Sequence, residues 1–146
     1  YASSEPHQRW ATGCLFDNIS INGPDGSLLA VNRGWYGSGH GWSGAQMVFW
    51  NCSAPVIMVM QPPTAQNFAI GSGGKVDDRW SETARTSTIR AINGVSRSNF
   101  ADRAYRSVGD GLIRPPADAV APRSRYFMEL EDRLGKAAVR RMVGIQ

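Results

Sequence analysis

Lysine is almost missing from this chain: two of 146 residues, against fourteen arginines. No lysine–arginine stripe with interleaved aromatics is present, which argues against a nucleic-acid partner; that reading would need the C-terminal arginines to form one continuous face. No apolar run approaches the ~20 residues that span a bilayer, so no membrane segment is expected. Only two cysteines occur, Cys14 and Cys52, too few for a disulfide scaffold and without metal-ligand spacing. Acidic residues are sparse where the apolar runs lie. Residues 1–74 carry only Glu5, Arg9, Asp17, Asp25 and Arg33 as charges, so the net +4 accrues after Lys75. Hydrolysis of a glycosidic bond needs two carboxylates flanking it, and this half is poorly equipped for that. No signal peptide is present, but the chain begins at Tyr1 rather than Met, so its absence does not mark a cytosolic protein.

What is present fits a single globular domain: 42% hydrophobic and 19% charged residues. Phe16-Asp17-Asn18-Ile19-Ser20 recurs 33 positions later as Phe49-Trp50-Asn51-Cys52-Ser53, each copy followed by a strand-like run. Stacked, the copies put Asn18 over Asn51 as an inward amide ladder and Phe16 over Phe49 face to face. That is how a solenoid of parallel strands builds a core, each coil burying its apolar face on its neighbours. Cys52 then replaces Ile19 at a small inward position, and both cysteines are expected as buried free thiols. Asn18-Ile19-Ser20 and Asn51-Cys52-Ser53 match the glycosylation sequon, but ladder asparagines would be inaccessible.

Strands are expected over 11–21, 28–32, 46–52, 56–61 and 67–70, rich in β-branched and aromatic residues. Turn signals separate them: 22–26, the glycine-rich 34–44, Pro62-Pro63 and Gly71-Ser72-Gly73-Gly74. A β-sandwich would share this spacing without requiring the 33-residue echo. The pattern puts parallel coils in 1–95, with 89–95 as a further strand, and an irregular connection in 96–121 with a short apolar cluster at Leu112-Ile113. Residues 122–146 read as helical. Ser124 is the expected N-cap, and Tyr126, Leu130, Leu134 and Ala138 share one face with Phe127 alongside. Gly135 ends the first helix, and Lys136–Val143 forms a second. This segment is expected to cover an end or flank of the stack. No such cover exists at residues 1–9, so further N-terminal coils or another chain are expected there.

Two places concentrate reactive side chains: Pro6-His7-Gln8-Arg9-Trp10, and the loop from Asn32 to Trp42. Five glycines within 34–44 leave Trp35, Tyr36, His40 and Trp42 as nearly the only side chains there. Aromatic faces with histidine and arginine suit sugar rings bearing carboxylates. Trp35 and Trp42 would stack, Arg9 or Arg33 would neutralise a uronate, and His40, His7 or Tyr36 would move a proton. Neutralising the carboxylate acidifies the adjacent C–H, so base and acid can complete a β-elimination with no cofactor or metal. Packed histidines, arginines paired with Asp17 or Asp25, and core tryptophans are the competing structural reading, favoured for Trp50. Ser38 lacks the strand–elbow–helix context of a nucleophile.

His7-Gln8-Arg9-Trp10, Gly39-His40-Gly41-Trp42, Phe49-Trp50-Asn51-Cys52 and Pro62-Pro63-Thr64-Ala65-Gln66-Asn67 together resemble the C-terminal coils of secreted right-handed parallel β-helix proteins of the pectate-lyase-like superfamily. The ending from Pro122 through Ala138 is similar to the tail of bacterial members. The resemblance implies a mainly β right-handed parallel β-helix with a C-terminal helix, and work on an acidic polysaccharide in a secreted or periplasmic setting. It supplies no active-site motif residue by residue. The chain also departs from the calcium-dependent lyases of that superfamily, since no acidic cluster stands in residues 1–70. The fold hosts lyases, hydrolases and non-catalytic proteins alike, so a structural or carbohydrate-binding module is the alternative.

Overall fold

A computed structural model describes residues 3–24, 26–34, 38–77, 109–114 and 120–144. In chain order the strands are β1 (Ser3–Ser4), β2 (Ala11–Thr12), β3 (Leu15–Asp17), β4 (Ser27–Ala30), β5 (Gly44–Ala45), β6 (Val48–Trp50) and β7 (Ser53–Gln61). They are followed by β8 (Phe68–Ile70), β9 (Gly73–Asp77), β10 (Gly109–Asp110) and β11 (Leu112–Arg114), then helices α1 (Arg125–Leu134) and α2 (Lys136–Val143). The protein is mainly β, with parallel sheets and two C-terminal helices.

The strands assort into three sheets visited in rotation. The first sets β1, β4 and β7 in parallel, with β9 parallel and β10 antiparallel to β7. The second pairs β2 with β5, and the third sets β3, β6, β8 and β11 in parallel. One pass of chain runs β1, β2, β3; the next runs β4, β5, β6 directly against it. The 33-residue echo is the stacking register of these passes. Ala11 faces Gly44, Leu15 faces Val48, Phe16 faces Phe49, and Ser20 bridges to Ser53. The first sheet keeps a different spacing, Leu28 against Ile57. The chain turns through Gly23-Pro24 before β4, whereas β7 begins at Ser53 with no such turn.

Alternation along each strand builds the core. Leu28, Ala30, Met47, Phe49, Cys52, Ala54, Ile57, Val59 and Ala69 are buried, with Cys14, Phe16 and Ile21 packed against them. Each large apolar side chain so buried contributes ~1.5–3 kcal/mol. Phe16 and Phe49 stack as expected, but tilted: their centroids are 5.0 Å apart and their planes 51° apart. Ring quadrupoles disfavour the face-to-face arrangement. Cys52 is a buried free thiol, as expected; Cys14 is free but only half-buried.

The asparagine ladder does not form. Continued alternation would carry Asn18 inward after Phe16, but β3 stops at Asp17. Asn18 and Asn51 both take left-handed backbone, at φ 58° and 48°. Asparagine adopts that region more readily than most residues, and the bend turns its amide outward. Both amides hold the C-terminal segment instead. Asn18 Nδ2 donates to the Arg123 carbonyl at 2.8 Å. Asn51 Nδ2 donates to the carbonyls of Val120 (2.8 Å) and Arg123 (2.9 Å), and its Oδ1 accepts from Val120 N–H at 2.8 Å. Gly71 occupies the same corner in the next pass, where a Cβ would collide with Asn51 Oδ1 and Val120. Trp50 is not core filling. It lies half-buried on the outer face and donates its Nε1–H to the Pro122 carbonyl at 2.9 Å.

The tail enters α1 at Ser124, whose hydroxyl accepts from Phe127 N–H at 3.0 Å, and Gly135 at φ 80° separates α1 from α2. The helix lies along a flank of the third sheet, against its outer face. Leu130 is its buried anchor, and Val139 that of α2, whereas Tyr126, Phe127 and Leu134 are exposed. The expected single apolar face is thus only partly covered. Two stretches depart from the sequence pattern. Gly73–Asp77 is a strand rather than a turn, because β7 extends far enough to pair with it. Leu112–Arg114, inside the connection read as irregular, continues the third sheet. The strand expected at 89–95 lies outside the described residues.

Candidate functional site

The register of the first sheet decides which reactive side chains meet. Ser4 pairs with Leu28, so the residues after β1 run beside those after β4. Val31 and Asn32 are buried, and Asn32 pins the loop that follows. Its Oδ1 accepts from Gly34 N–H at 2.9 Å, and it bridges to Trp42. Arg33 N–H donates to the Gly41 carbonyl at 2.7 Å, closing the base of the loop. The excursion thereby returns beside Pro6 and His7 before the chain enters β5.

Four side chains converge there: Glu5, His7, Arg33 and His40. The imidazoles of His7 and His40 lie with centroids 4.5 Å apart and planes tilted by 53°. Arg33 sits beneath them, donating through one nitrogen to the His7 carbonyl at 2.7 Å and pairing through the other with Glu5 at 3.4 Å. Both partners of that pair are largely buried, at 11% and 17% side-chain exposure. His7 is exposed. His40 is half-exposed, but its Nδ1 is shielded from solvent.

The electrostatics follow from this packing. Burial pushes the Glu5 carboxyl up from its ordinary value, outweighing the opposing pull of Arg33 and His7. Burial pushes His40 down, and the neighbouring Arg33 and His7 charges push the same way. One histidine is thus held toward its neutral, proton-accepting form beside an exposed second imidazole. Two such groups within reach of one ligand can move protons in both directions.

Of the residues singled out in the sequence, His7, His40 and Arg33 come together. Arg33 pairs with Glu5, and Asp25 lies outside the described residues. Arg9 and Trp10 lie exposed at a bend with φ 66° and 55°, and Trp42 is half-buried beside them, its carbonyl accepting from Trp10 N–H at 3.2 Å. Trp35 and Tyr36 lie outside the described residues. Glu5 is the member that sequence reasoning did not place at the site. Its signal was its rarity, as one of three carboxylates in residues 1–74. Among the described residues, no group of three or more histidine, cysteine or carboxylate side chains could hold a metal ion.

A concavity of about 440 Å³ lies on the outer face of the third sheet, lined by Leu15, Val48, Trp50, Phe68, Ile70, Arg125 and Glu129. Its one charged pair, Arg125–Glu129 at 2.7 Å, bridges one turn of α1. It offers apolar surface and no proton-transfer pair. Comparison of the chain with protein-family models, curated proteins and solved structures finds no match.

Proposed function

We propose that the chain is part of a right-handed parallel β-helix that binds an acidic, uronate-containing polysaccharide at the His7–His40 site and cleaves it by β-elimination. The observation that carries the reading is the 4.5 Å pairing of two imidazoles, one of them held toward neutrality, supplied by adjacent passes of chain. Parallel passes stacked in three sheets support the β-helix, whose lateral surface suits a chain-like ligand. His40 takes the proton α to the uronate carboxylate. The electron pair forms the new C=C bond as the glycosidic C–O bond breaks, and His7 protonates the departing oxygen. Arg9, exposed beside His7 in sequence, meets the carboxylate, and Trp42 stacks on the sugar face, with Trp35 a further stacking candidate from the sequence. Tyr36 stays a second candidate for proton transfer. No cofactor is assigned to this chemistry.

A secreted or periplasmic setting accompanies this reading. The edge formed by β1, β2 and β3 is where further coils or a second copy would stack. Leu15, Ile19 and Trp10 are exposed there, and among the described residues those strands are paired on one side only. A second reading, a non-catalytic structural or carbohydrate-binding module, is favoured by one specific observation. Arg33 is committed to Glu5 and to the His7 carbonyl rather than presented outward. Affinity electrophoresis in gels containing polygalacturonate, alginate or a neutral glucan tests the binding. Retardation by the acidic polymers alone is expected, and equal migration in all three gels would contradict it.

A further inference from the structure

We infer that the His7–His40 site takes up protons as it binds its anionic ligand, so that affinity for a carboxylated glycan rises as pH falls. The inference rests on the acidic-glycan reading and adds to it a regulation by pH. Its ground is where the fixed charge of the site already goes. Arg33, the one described arginine inside the cluster, has its guanidinium on Glu5 and on the His7 carbonyl. Its charge is largely balanced where it stands. Apart from the exposed Arg9, which meets one uronate carboxylate, additional positive charge facing a ligand must therefore come from the two imidazoles.

Those imidazoles are coupled. At 4.5 Å between centroids, protonating one disfavours protonating the other. The described charged residues on the two segments that meet here are Glu5 and Arg9 on one and Arg33 on the other. Arg33 opposes a charge on His40, whereas the Glu5 carboxylate and a charge on His7 attract each other. Without ligand, the doubly protonated pair is the disfavoured state. A neighbouring carboxylate of the polyuronate chain, placed against the rings, supplies the missing counter-charge and stabilises the imidazolium form. Binding and protonation are then linked, and each promotes the other. The exposure of His7 leaves one ring open to such a ligand, while the Nδ1 of His40 is shielded from solvent.

Calorimetric titration of the full chain with an oligogalacturonate, in two buffers of different protonation enthalpy at one pH, counts the protons taken up. The expected result is uptake of about one proton per site near neutral pH, with affinity rising by up to about tenfold per pH unit as pH falls. His7→Gln and His40→Gln should each reduce the uptake. Proton NMR of the two imidazoles in the unsubstituted protein, with and without the oligogalacturonate, reads the same linkage without a variant. Both resonances should shift their titrations upward on binding. Binding with heat independent of the buffer, or uptake unchanged in both variants, overturns the linkage and leaves the glycan reading standing. No binding at either pH 5.5 or pH 8 overturns both.

Discussion

Asp17 and Ser124, 107 residues apart, are joined by a 2.5 Å hydrogen bond in which the serine hydroxyl donates to Oδ2 of the carboxylate. The same carboxylate accepts from the backbone N–H groups of Arg125 (3.2 Å, to Oδ1) and Tyr126 (3.0 Å, to Oδ2). A residue of the first pass thus caps the N-terminus of α1, where unpaired N–H groups and the helix dipole favour negative charge. Asp17 is therefore structural.

Asp17→Ala should loosen the tail without unfolding the stack. The expected cost is about 1–2 kcal/mol, the range for losing a good N-terminal cap. Amide hydrogen exchange checks it: Arg125, Tyr126 and Phe127 should exchange faster while Phe49 and Ile57 keep their protection. Equal loss at all five positions would show that the tail and the stack unfold together.

Asn67 should matter more than either repeat asparagine. It is fully buried, its Oδ1 accepts from Met47 N–H at 3.0 Å, and its Nδ2 donates to the carbonyls of Met60 (2.9 Å) and Gly44 (3.2 Å). The second sheet has two strands among the described residues, and the third pass reaches β8 through Pro62-Pro63 without adding another. The Asn67 amide stands in for that missing strand, satisfying backbone groups of β5 and Met47 on the side facing away from β2. Asn67→Leu leaves several buried backbone groups unpaired at ~1–3 kcal/mol each. A denaturant midpoint shifted well below that of Asn18→Leu is expected; similar midpoints would remove the special role of Asn67.

Local signals were legible in the sequence wherever one residue type suffices to set the geometry. Ser124 and Gly135 bounded α1, and the echo from Phe16 to Phe49 gave the true register of the third sheet. What depended on partners distant in the chain was not legible. Gly73 and Gly74 read as a turn because their strand character comes from pairing with β7. Asn18 and Asn51 read as a ladder because nothing local announces the left-handed bend that sends them to the tail. Glu5 and Arg33 are 28 positions apart, and only the pairing of β1 with β4 brings them together.

The two cysteines should differ in reactivity. Cys52 is buried with its Sγ 3.2 Å from the Phe16 carbonyl, and burial pushes its thiol up from the ordinary value. Cys14 is half-buried. Under native conditions a thiol reagent should label Cys14 first, with Cys52 reacting only as the protein unfolds. Mass spectrometry of partly labelled protein reads the order directly.

Stability should carry an opposing pair of pH dependences from the candidate site. His40 is lowered from 6.5, so its neutral form stabilises the fold fully above that value and the contribution is lost as pH falls through the folded value. Glu5 is raised from 4.5, so its contribution is present below that value and is lost as pH rises through the folded value. Relative to His40→Gln, the unsubstituted protein should therefore lose stability as the pH drops below 6.5. A gap that widens in its favour on acidification would show that the neutral form of His40 is not the one the fold favours.

The central claim is that His7 and His40 act together on a uronate chain. Its most direct test follows the ultraviolet absorbance of newly formed C=C bonds while the protein is incubated with uronate polysaccharides, beside His7→Ala and His40→Ala. A rising signal is expected, falling by roughly 10²–10⁴ in rate when either imidazole is removed. A flat trace from the folded, unsubstituted protein, or a rise that both variants retain, would contradict it.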